Sequence, residues 1–189
     1  MSAPLVSVII PAYNHERFVG AAVESVLSQT CADLELIVID DGSRDRTGEV
    51  VQSYTDPRLS YYHQENQDAF NTINRGLGLA RGEYTAILNS DDVYALDRLQ
   101  RLVEYRNETG AECLFTDVIP ISDEGVEFTD PAFGWNLWHQ KNRAFYRQCG
   151  DLYTAFLKGN FMVTTSNLFM TTRAVREGGK FCSLRYLHD

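Results

Sequence analysis

Two pairs of adjacent aspartates are the residues of this sequence whose type and spacing best suit chemistry. Asp91 and Asp92 end the segment Asn89-Ser90-Asp91-Asp92, which follows a short apolar run. Adjacent carboxylates repel, and a Mg²⁺ or Mn²⁺ ion that also binds diphosphate oxygens would offset that repulsion. The alternative is that one aspartate only caps the next helix, a common role for Asp. The residues alone leave both interpretations open.

The second pair, Asp40-Asp41, precedes Gly42 and also follows an apolar run. Taken alone, Asp-Gly is typical of an ordinary turn. Two acidic strand ends in one crevice instead favour a site for a metal-bound ligand that also donates a hydrogen bond. A nucleobase ring N–H is such a donor.

The elements that must position these aspartates follow from hydrophobic periodicity. Short β-branched or apolar runs predict strands near residues 6–10, 36–39, 59–63 and 84–88. Helical spacing predicts helices near residues 16–28, through Val50 and Val51, and near 70–80 and 96–107. This alternation predicts an α/β fold with a mostly parallel sheet flanked by helices, and with ligands at the carboxyl ends of its strands.

The pattern weakens after residue 110. Residues 113–121 are predicted to form a strand. Residues 133–148 are rich in aromatic and basic side chains without a clean period, and we interpret them as a mobile or acceptor-side segment. Trp135, Trp138 and His139 are candidates for stacking on a sugar, with a place in a core or lid as the alternative.

Composition narrows the class of protein. The 189 residues include 17 Lys and Arg and 26 Asp and Glu, for a net charge of −9, which argues against general nucleic-acid binding. An acidic protein that binds an anionic nucleotide needs local basic groups or a divalent cation. The N-terminus lacks a signal-peptide pattern and no run has the ~18 apolar residues of a membrane span, so we expect a cytoplasmic protein, with peripheral attachment to the membrane left open.

Three blocks of sequence together resemble glycosyltransferase family 2. They are VSVIIPAYNHERFVGAAVESVLSQ from residue 6, LELIVIDDGSRDRT from residue 34 and NRGLGLARGEYTAILNSDD from residue 74. The resemblance is dense up to residue 110 and loose beyond it. It implies a single domain of the Rossmann-like GT-A fold, with residues 1–110 as the nucleotide-binding half and 111–189 as an acceptor-side half that is truncated at its C-terminus.

The resemblance also implies roles for residues. Asp91 and Asp92 would bind the metal, Mn²⁺ or Mg²⁺, with Asp92 as the first choice, and Asp41 would accept a hydrogen bond from the base. Two positions depart from the family pattern: Asn89 stands where Asp is common, and Ile73 where Arg is common. The residues implied to bind the nucleotide-sugar are Pro11, Ala12, Tyr13, Asn14, Asp41, Asn74, Asn89 and Asp91.

For catalysis, the resemblance implies inverting transfer from a nucleotide-diphosphate sugar, with UDP favoured, to a hydroxyl of a saccharide or lipid-linked acceptor in cell-surface polysaccharide synthesis. Asp189, after the turn Gly178-Gly179-Lys180-Phe181, would be the catalytic base. The alternative is a non-catalytic nucleotide-sugar-binding or scaffold domain. An oxidoreductase and a P-loop enzyme are disfavoured, because no glycine-rich turn follows the first strand and no GxxxxGK[ST] occurs.

Overall fold

A six-stranded sheet is the central element of the computed structural model, which describes residues 3–182. The strands in chain order are Val6–Ala12 (β1), Leu34–Asp40 (β2), Leu59–His63 (β3), Tyr84–Ile87 (β4), Cys113–Leu114 (β5) and Phe169–Thr171 (β6). Their order in the sheet is β3-β2-β1-β4-β6-β5, with β1 to β4 parallel and β6 antiparallel to both β4 and β5. The predicted mixed, mostly parallel α/β sheet is therefore confirmed.

Helices connect the parallel strands. They are Val19–Leu27 (α1), Thr47–Gln52 (α2), Ala69–Leu79 (α3) and Arg98–Thr109 (α4), followed by Gly134–Cys149 (α5), Leu152–Lys158 (α6) and Thr172–Gly178 (α7). A 3₁₀ turn, Thr165–Asn167, precedes β6. The four helices predicted before residue 110 are confirmed. None of the helices in the described part of the chain combines the length and apolarity of a membrane span.

The core explains why β1 and β2 are continuous apolar runs. Val8 and Ile10 pack in a large cluster with α1, α2 and α4, whereas Ile9 packs with Ile37 and Ile39 in a smaller cluster that α3 covers. Both faces of the sheet are thus covered by helices, and the side chains that point to either face must be apolar.

One prediction for the second half of the chain was wrong. The strand expected over 113–121 ends after Leu114, because only Cys113 and Leu114 pair with β6. The segment 133–148, which we interpreted as mobile or acceptor-side, coincides almost entirely with the long helix α5, and that interpretation stays a prediction. His139 is the one buried residue of α5.

The chain forms two compact units. Unit 1 contains the residues up to Phe115 together with those from Thr164 onward, and unit 2 is Thr116–Val163. The chain therefore returns to the sheet of unit 1 after unit 2, and β6 joins β4 although all of unit 2 separates them in sequence. Unit 2 contains α5 and α6, and an aromatic stack of Trp135 on His139 with ring centroids 4.9 Å apart.

Candidate functional site

A cleft of about 510 Å³ lies at the carboxyl edge of the parallel strands, where the loops after β1, β2 and β4 meet the start of α3. Because parallel strands end at one sheet edge, loops distant in sequence converge there. A larger cleft of about 780 Å³ lies at the opposite edge, and no predicted site residue lines it. The residues that line the first cleft are Pro11, Ala12, Tyr13, His15, Asp41, Asn66, Asp68, Ala69, Thr72, Ile73, Asn89, Ser90, Asp91 and Thr165.

Asn14 supports this cleft without lining it. Its backbone has a left-handed φ of 54°, a conformation that Asn adopts more readily than most residues. Its N–H donates to Ser43 Oγ over 3.0 Å, and its Oδ1 accepts from the Arg44 N–H over 2.8 Å. Asn14 thus ties the loop after β1 to the loop after β2. The preceding residue, Tyr13, is 42% exposed and lines the cleft.

Asp41 is buried, and only part of its carboxylate is used by the protein. Oδ1 accepts from Gln64 Nε2 over 2.6 Å and from the Gln67 N–H over 2.9 Å. Among the described residues, no group donates to Oδ2. A buried carboxylate oxygen that the protein leaves without a donor is suited to accept a hydrogen bond from a ligand.

Both carboxylate oxygens of Asp40 accept hydrogen bonds from other residues of the protein. Its Oδ1 accepts from the Ser43 N–H over 2.9 Å, and Oδ2 accepts from Tyr61 Oη over 2.9 Å. Burial alone would raise the pKa of Asp40, but the hydrogen bonds from Ser43, Tyr61 and His63 outweigh burial and hold this pKa below its ordinary value. The pKa of Tyr61 is raised to about 12 by burial and by its bond to Asp40. The turn interpretation therefore holds for Asp40, and the ligand interpretation stays a prediction for Asp41.

The loop after β4 is held by hydroxyl groups from the 3₁₀ turn before β6. Asn89 Nδ2 donates to Thr164 Oγ1 over 3.1 Å, and Asn89 Oδ1 accepts from Thr165 Oγ1 over 3.1 Å. Ser166 Oγ accepts from the Asn89 N–H and donates to Asp92 Oδ2 over 2.6 Å. Sequence reasoning missed these hydroxyls. Their only signal was the run Thr164-Thr165-Ser166 itself, which lies far from Asn89 along the chain.

Asp91 and Asp92 differ in position. Asp91 is exposed and lines the cleft, whereas Asp92 is half-buried and bonded to Ser166. The helix-cap interpretation is wrong for both, because α4 begins only at Arg98. Within residues 3–182, no three His, Cys, Asp or Glu side chains come together to hold a metal ion. A cation such as Mg²⁺, which takes one or two carboxylates and completes its shell with ligand oxygens and water, does not need such a cluster.

Asn74 does not line the cleft. Its Nδ2 donates to the Phe181 carbonyl over 2.8 Å, and its Oδ1 accepts from the Phe181 N–H over 2.9 Å. The amide therefore fastens the segment that follows α7 onto α3. The ribose or diphosphate contact that the family resemblance implies for Asn74 stays a prediction. Asp189, the predicted base, lies outside the described residues.

A mostly parallel sheet that is covered by helices and carries a cleft at its carboxyl edge defines a protein of the α/β class with a Rossmann-like sheet. Comparison with solved structures shows that the fold is GT-A: TarS residues 1–349 of S. aureus superimpose with a TM-score of 0.65 over 97% of this chain and 52% of that chain, at 17% identity. The same fragment in complex with UDP is 25% identical over 62% of this chain and 38% of that chain, with a TM-score of 0.56.

The family profile described as Glycosyl transferase family 2 matches residues 7–173, and the chain belongs to this family. An uncharacterized glycosyltransferase, EpsJ of Bacillus subtilis, is 40% identical over 103 residues, which are 53% of this chain and 30% of that protein. Chondroitin synthase of Escherichia coli is 30% identical over 177 residues, 92% of this chain and 24% of that protein. The chain thus spans about a third or less of the length of these two relatives.

Proposed function

We propose that the chain carries the donor-binding part of an inverting glycosyltransferase, which moves a sugar from a nucleotide-diphosphate sugar to a hydroxyl of a saccharide or lipid-linked acceptor. The observation that carries this proposal is the cleft at the carboxyl edge, lined by both Asp41 and Asp91. Asp41 offers an acceptor for a base, and Asp91 offers a ligand for a cation at the diphosphate. Family membership supports the same reaction class.

The nucleotide end of the donor is assigned to the side of the cleft near β1 and β2. Tyr13, with 42% of its surface exposed, presents a ring on which a base stacks, and Asp41 Oδ2 accepts the ring N–H. Uracil, thymine and guanine all carry such an N–H, so Asp41 does not choose between them. The similarity to a UDP-bound structure at 25% identity favours UDP.

A divalent cation, Mn²⁺ or Mg²⁺, fits the charge of the cleft. Three carboxylates line it, from Asp41, Asp68 and Asp91, and no Lys or Arg is among the lining residues described. A diphosphate therefore enters a site of its own sign unless a cation accompanies it. Asp91, with Asp92 beside it, would hold that cation. Once bound, the cation would stabilise the negative charge of the leaving diphosphate.

Inversion requires a single displacement in which a base removes the proton of the acceptor hydroxyl. Asp189 is our candidate for that base. The acceptor is assigned to the half of the chain after residue 110, where Trp138 is 42% exposed and Trp135 stacks on His139. The similarity to a chondroitin synthase supports a role in polysaccharide synthesis.

The test is calorimetric titration of UDP, GDP and dTDP with and without Mn²⁺. We expect Mn²⁺-dependent binding of one of the three, and a loss of about 10- to 100-fold in affinity for Asp41→Asn, which removes one charged hydrogen-bond acceptor. Asp91→Asn should remove most of the Mn²⁺ dependence. Asp97→Asn is the matched control, because Asp97 pairs with Arg101 at the surface and does not line the cleft.

Two outcomes would contradict the proposal in different ways. Failure of the well-folded chain to bind any nucleotide would exclude a donor site. Tight binding without transfer or hydrolysis of the donor by the longer protein would instead indicate the non-catalytic nucleotide-sugar-binding or scaffold domain.

Association with the cytoplasmic face of a membrane is the last part of the proposal. It rests on α5 and α6, where residues 134–158 carry four basic side chains and one acidic one, although the whole chain has a net charge of −9. A lipid-linked acceptor would place this protein at such a surface.

A further inference from the structure

His15 is the basic side chain of the cleft. Among the described residues that line it, three carry carboxylates and His15 is the one with an imidazole. His15 lies in the first of the three sequence blocks that resemble family 2, but that resemblance implied no role for it.

Both the imidazole and the backbone of His15 are held by hydrogen bonds. Its Nδ1 lies 2.7 Å from Ser90 Oγ, and Ser90 is only 2% exposed. The backbone of His15 donates its N–H to Thr47 Oγ1 over 2.8 Å, and its carbonyl accepts the N–H of Val19 at the start of α1. The ring therefore bridges the loops after β1 and β4, and is fixed next to Asp91 before any ligand arrives.

The bond to Ser90 determines what the other ring nitrogen offers. The Ser90 hydroxyl is buried and has no other acceptor among the described residues, and we therefore assign it as the donor to Nδ1. Neutral His15 then carries its proton on Nε2, and protonated His15 does so as well. No protein group in the described part of the chain bonds to Nε2. An N–H donor at half-buried His15 is thus left for a ligand.

We propose that His15 Nε2–H donates to the terminal phosphate of a nucleoside diphosphate. This inference rests on the proposed function, which places the base at Asp41 and the cation at Asp91. Ser90 ties His15 to the cation end of the cleft, which is the end occupied by the phosphate farthest from the base. An N–H donor among carboxylates also favours an anionic oxygen over a sugar hydroxyl, because the charged acceptor forms the stronger bond.

The test compares two substitutions, each of which places a polar group near the position of one of the two ring nitrogens. His15→Asn retains a polar group near Nδ1 for Ser90 but has nothing at Nε2. His15→Gln places an amide N–H near the Nε2 position. Binding of UDP, GDP and dTDP, and of the corresponding monophosphates, is measured by calorimetry in Mn²⁺. We expect His15→Asn to lower the affinity for the nucleoside diphosphate by about tenfold, which is the effect of one hydrogen bond to a charged group.

The corresponding monophosphate should lose less than about twofold in His15→Asn, and His15→Gln should recover part of the diphosphate affinity. His63→Asn is the matched control, because His63 is exposed and does not line the cleft. Thermal unfolding of each variant checks that it is folded.

Three results would overturn the inference. These are unchanged diphosphate affinity in His15→Asn, an equal loss for monophosphate and diphosphate, and no recovery in His15→Gln. Each of them leaves the proposed function intact, provided that the unsubstituted chain binds a nucleoside diphosphate. If the unsubstituted chain binds none, the proposed function fails first.

Discussion

In both aspartate pairs, one member lines the cleft and the other bonds to a serine. Asp40 and Asp92 accept hydrogen bonds from Ser43 and Ser166, whereas Asp41 and Asp91 line the cleft. Asp41 also accepts protein hydrogen bonds, but through Oδ1 alone. Hydrogen bonds from the protein stabilise the charge of a carboxylate, which lowers the cost of placing two carboxylates next to each other. Each pair thus fixes its loop and leaves one carboxylate at the cleft.

The first prediction at the residue scale concerns Asn74. Both functional groups of its amide bond to the backbone of Phe181, so Asn74→Ala should release the segment after α7 without touching the cleft. We expect nucleotide affinity to change less than about twofold, since no ligand contact is lost. Limited trypsin digestion followed by mass spectrometry should show faster cleavage after Lys180.

Asn71→Ala provides the control, because Asn71 lies on the same helix but bonds to the Gln67 carbonyl instead. A loss of nucleotide affinity in Asn74→Ala, with the trypsin rate unchanged, would return Asn74 to the ribose or diphosphate role that the family resemblance implied.

The site residues that directly follow a strand could be predicted from the sequence. Apolar runs that stop at Asp40 and at Asn89 located two loops of the cleft correctly. The bonding partners of those loops were not predictable, since Thr164, Thr165 and Ser166 meet Asn89 only after the chain has passed through unit 2. His15 was missed because its role depends on contact with Ser90, which is distant in sequence.

At the scale of elements, α3 is the helix that most closely constrains the cleft. Thr72 and Ile73 of α3 line the cleft, and Gly76 one turn later lies directly against Ile9 of β1. A Cβ at Gly76 would overlap the Ile9 side chain, so only glycine lets the helix approach the strand this closely. The glycine thus sets the distance between one wall of the cleft and the sheet.

This contact predicts opposite effects for two alanine substitutions in α3. Gly76→Ala should lower the free energy of unfolding by about 1–3 kcal/mol, as overpacking does in a buried contact. Gly78→Ala should raise it by up to about 1 kcal/mol, because Ala favours helix over Gly and nothing lies within 4 Å of the added Cβ. Urea denaturation of both variants measures the two changes. Stabilisation by Gly76→Ala would mean that α3 does not pack on β1 as described.

The elements themselves were predictable where both faces of the sheet are buried. There the core imposes a continuous apolar run on β1 and β2 and a period of 3.6 on α1. The helix α5, in which His139 is the one buried residue, was not predicted. Strand β6 was not predicted either, because it has only three residues and pairs with a strand far away in sequence. Local sequence does not encode a pairing of that kind.

At the scale of the whole molecule, charge is distributed unevenly. The chain is acidic and the cleft is lined with carboxylates, yet α5 and α6 are basic. Apolar side chains of α6 are exposed as well: Tyr153 by 73% and Leu157 by 72%. Exposed aromatic and aliphatic groups next to basic residues are typical of a helix that lies on an anionic lipid surface.

We therefore predict that the chain sediments with phosphatidylglycerol vesicles and not with phosphatidylcholine vesicles, and that salt weakens this binding. Replacing Tyr153 and Leu157 together by Ser should lower vesicle binding at least about tenfold, because each apolar side chain contributes roughly 1.5–3 kcal/mol when it leaves water. Leu96→Ser is the control, since Leu96 is 62% exposed but lies in unit 1, outside α5 and α6. Equal vesicle binding by the double variant and the Leu96→Ser control would show that α6 does not contact lipid. If light scattering shows a dimer that the double variant loses, the exposed surface of α6 instead binds a second copy of the chain. Retention of nucleotide affinity in the double variant is also expected, because the cleft residues all belong to unit 1.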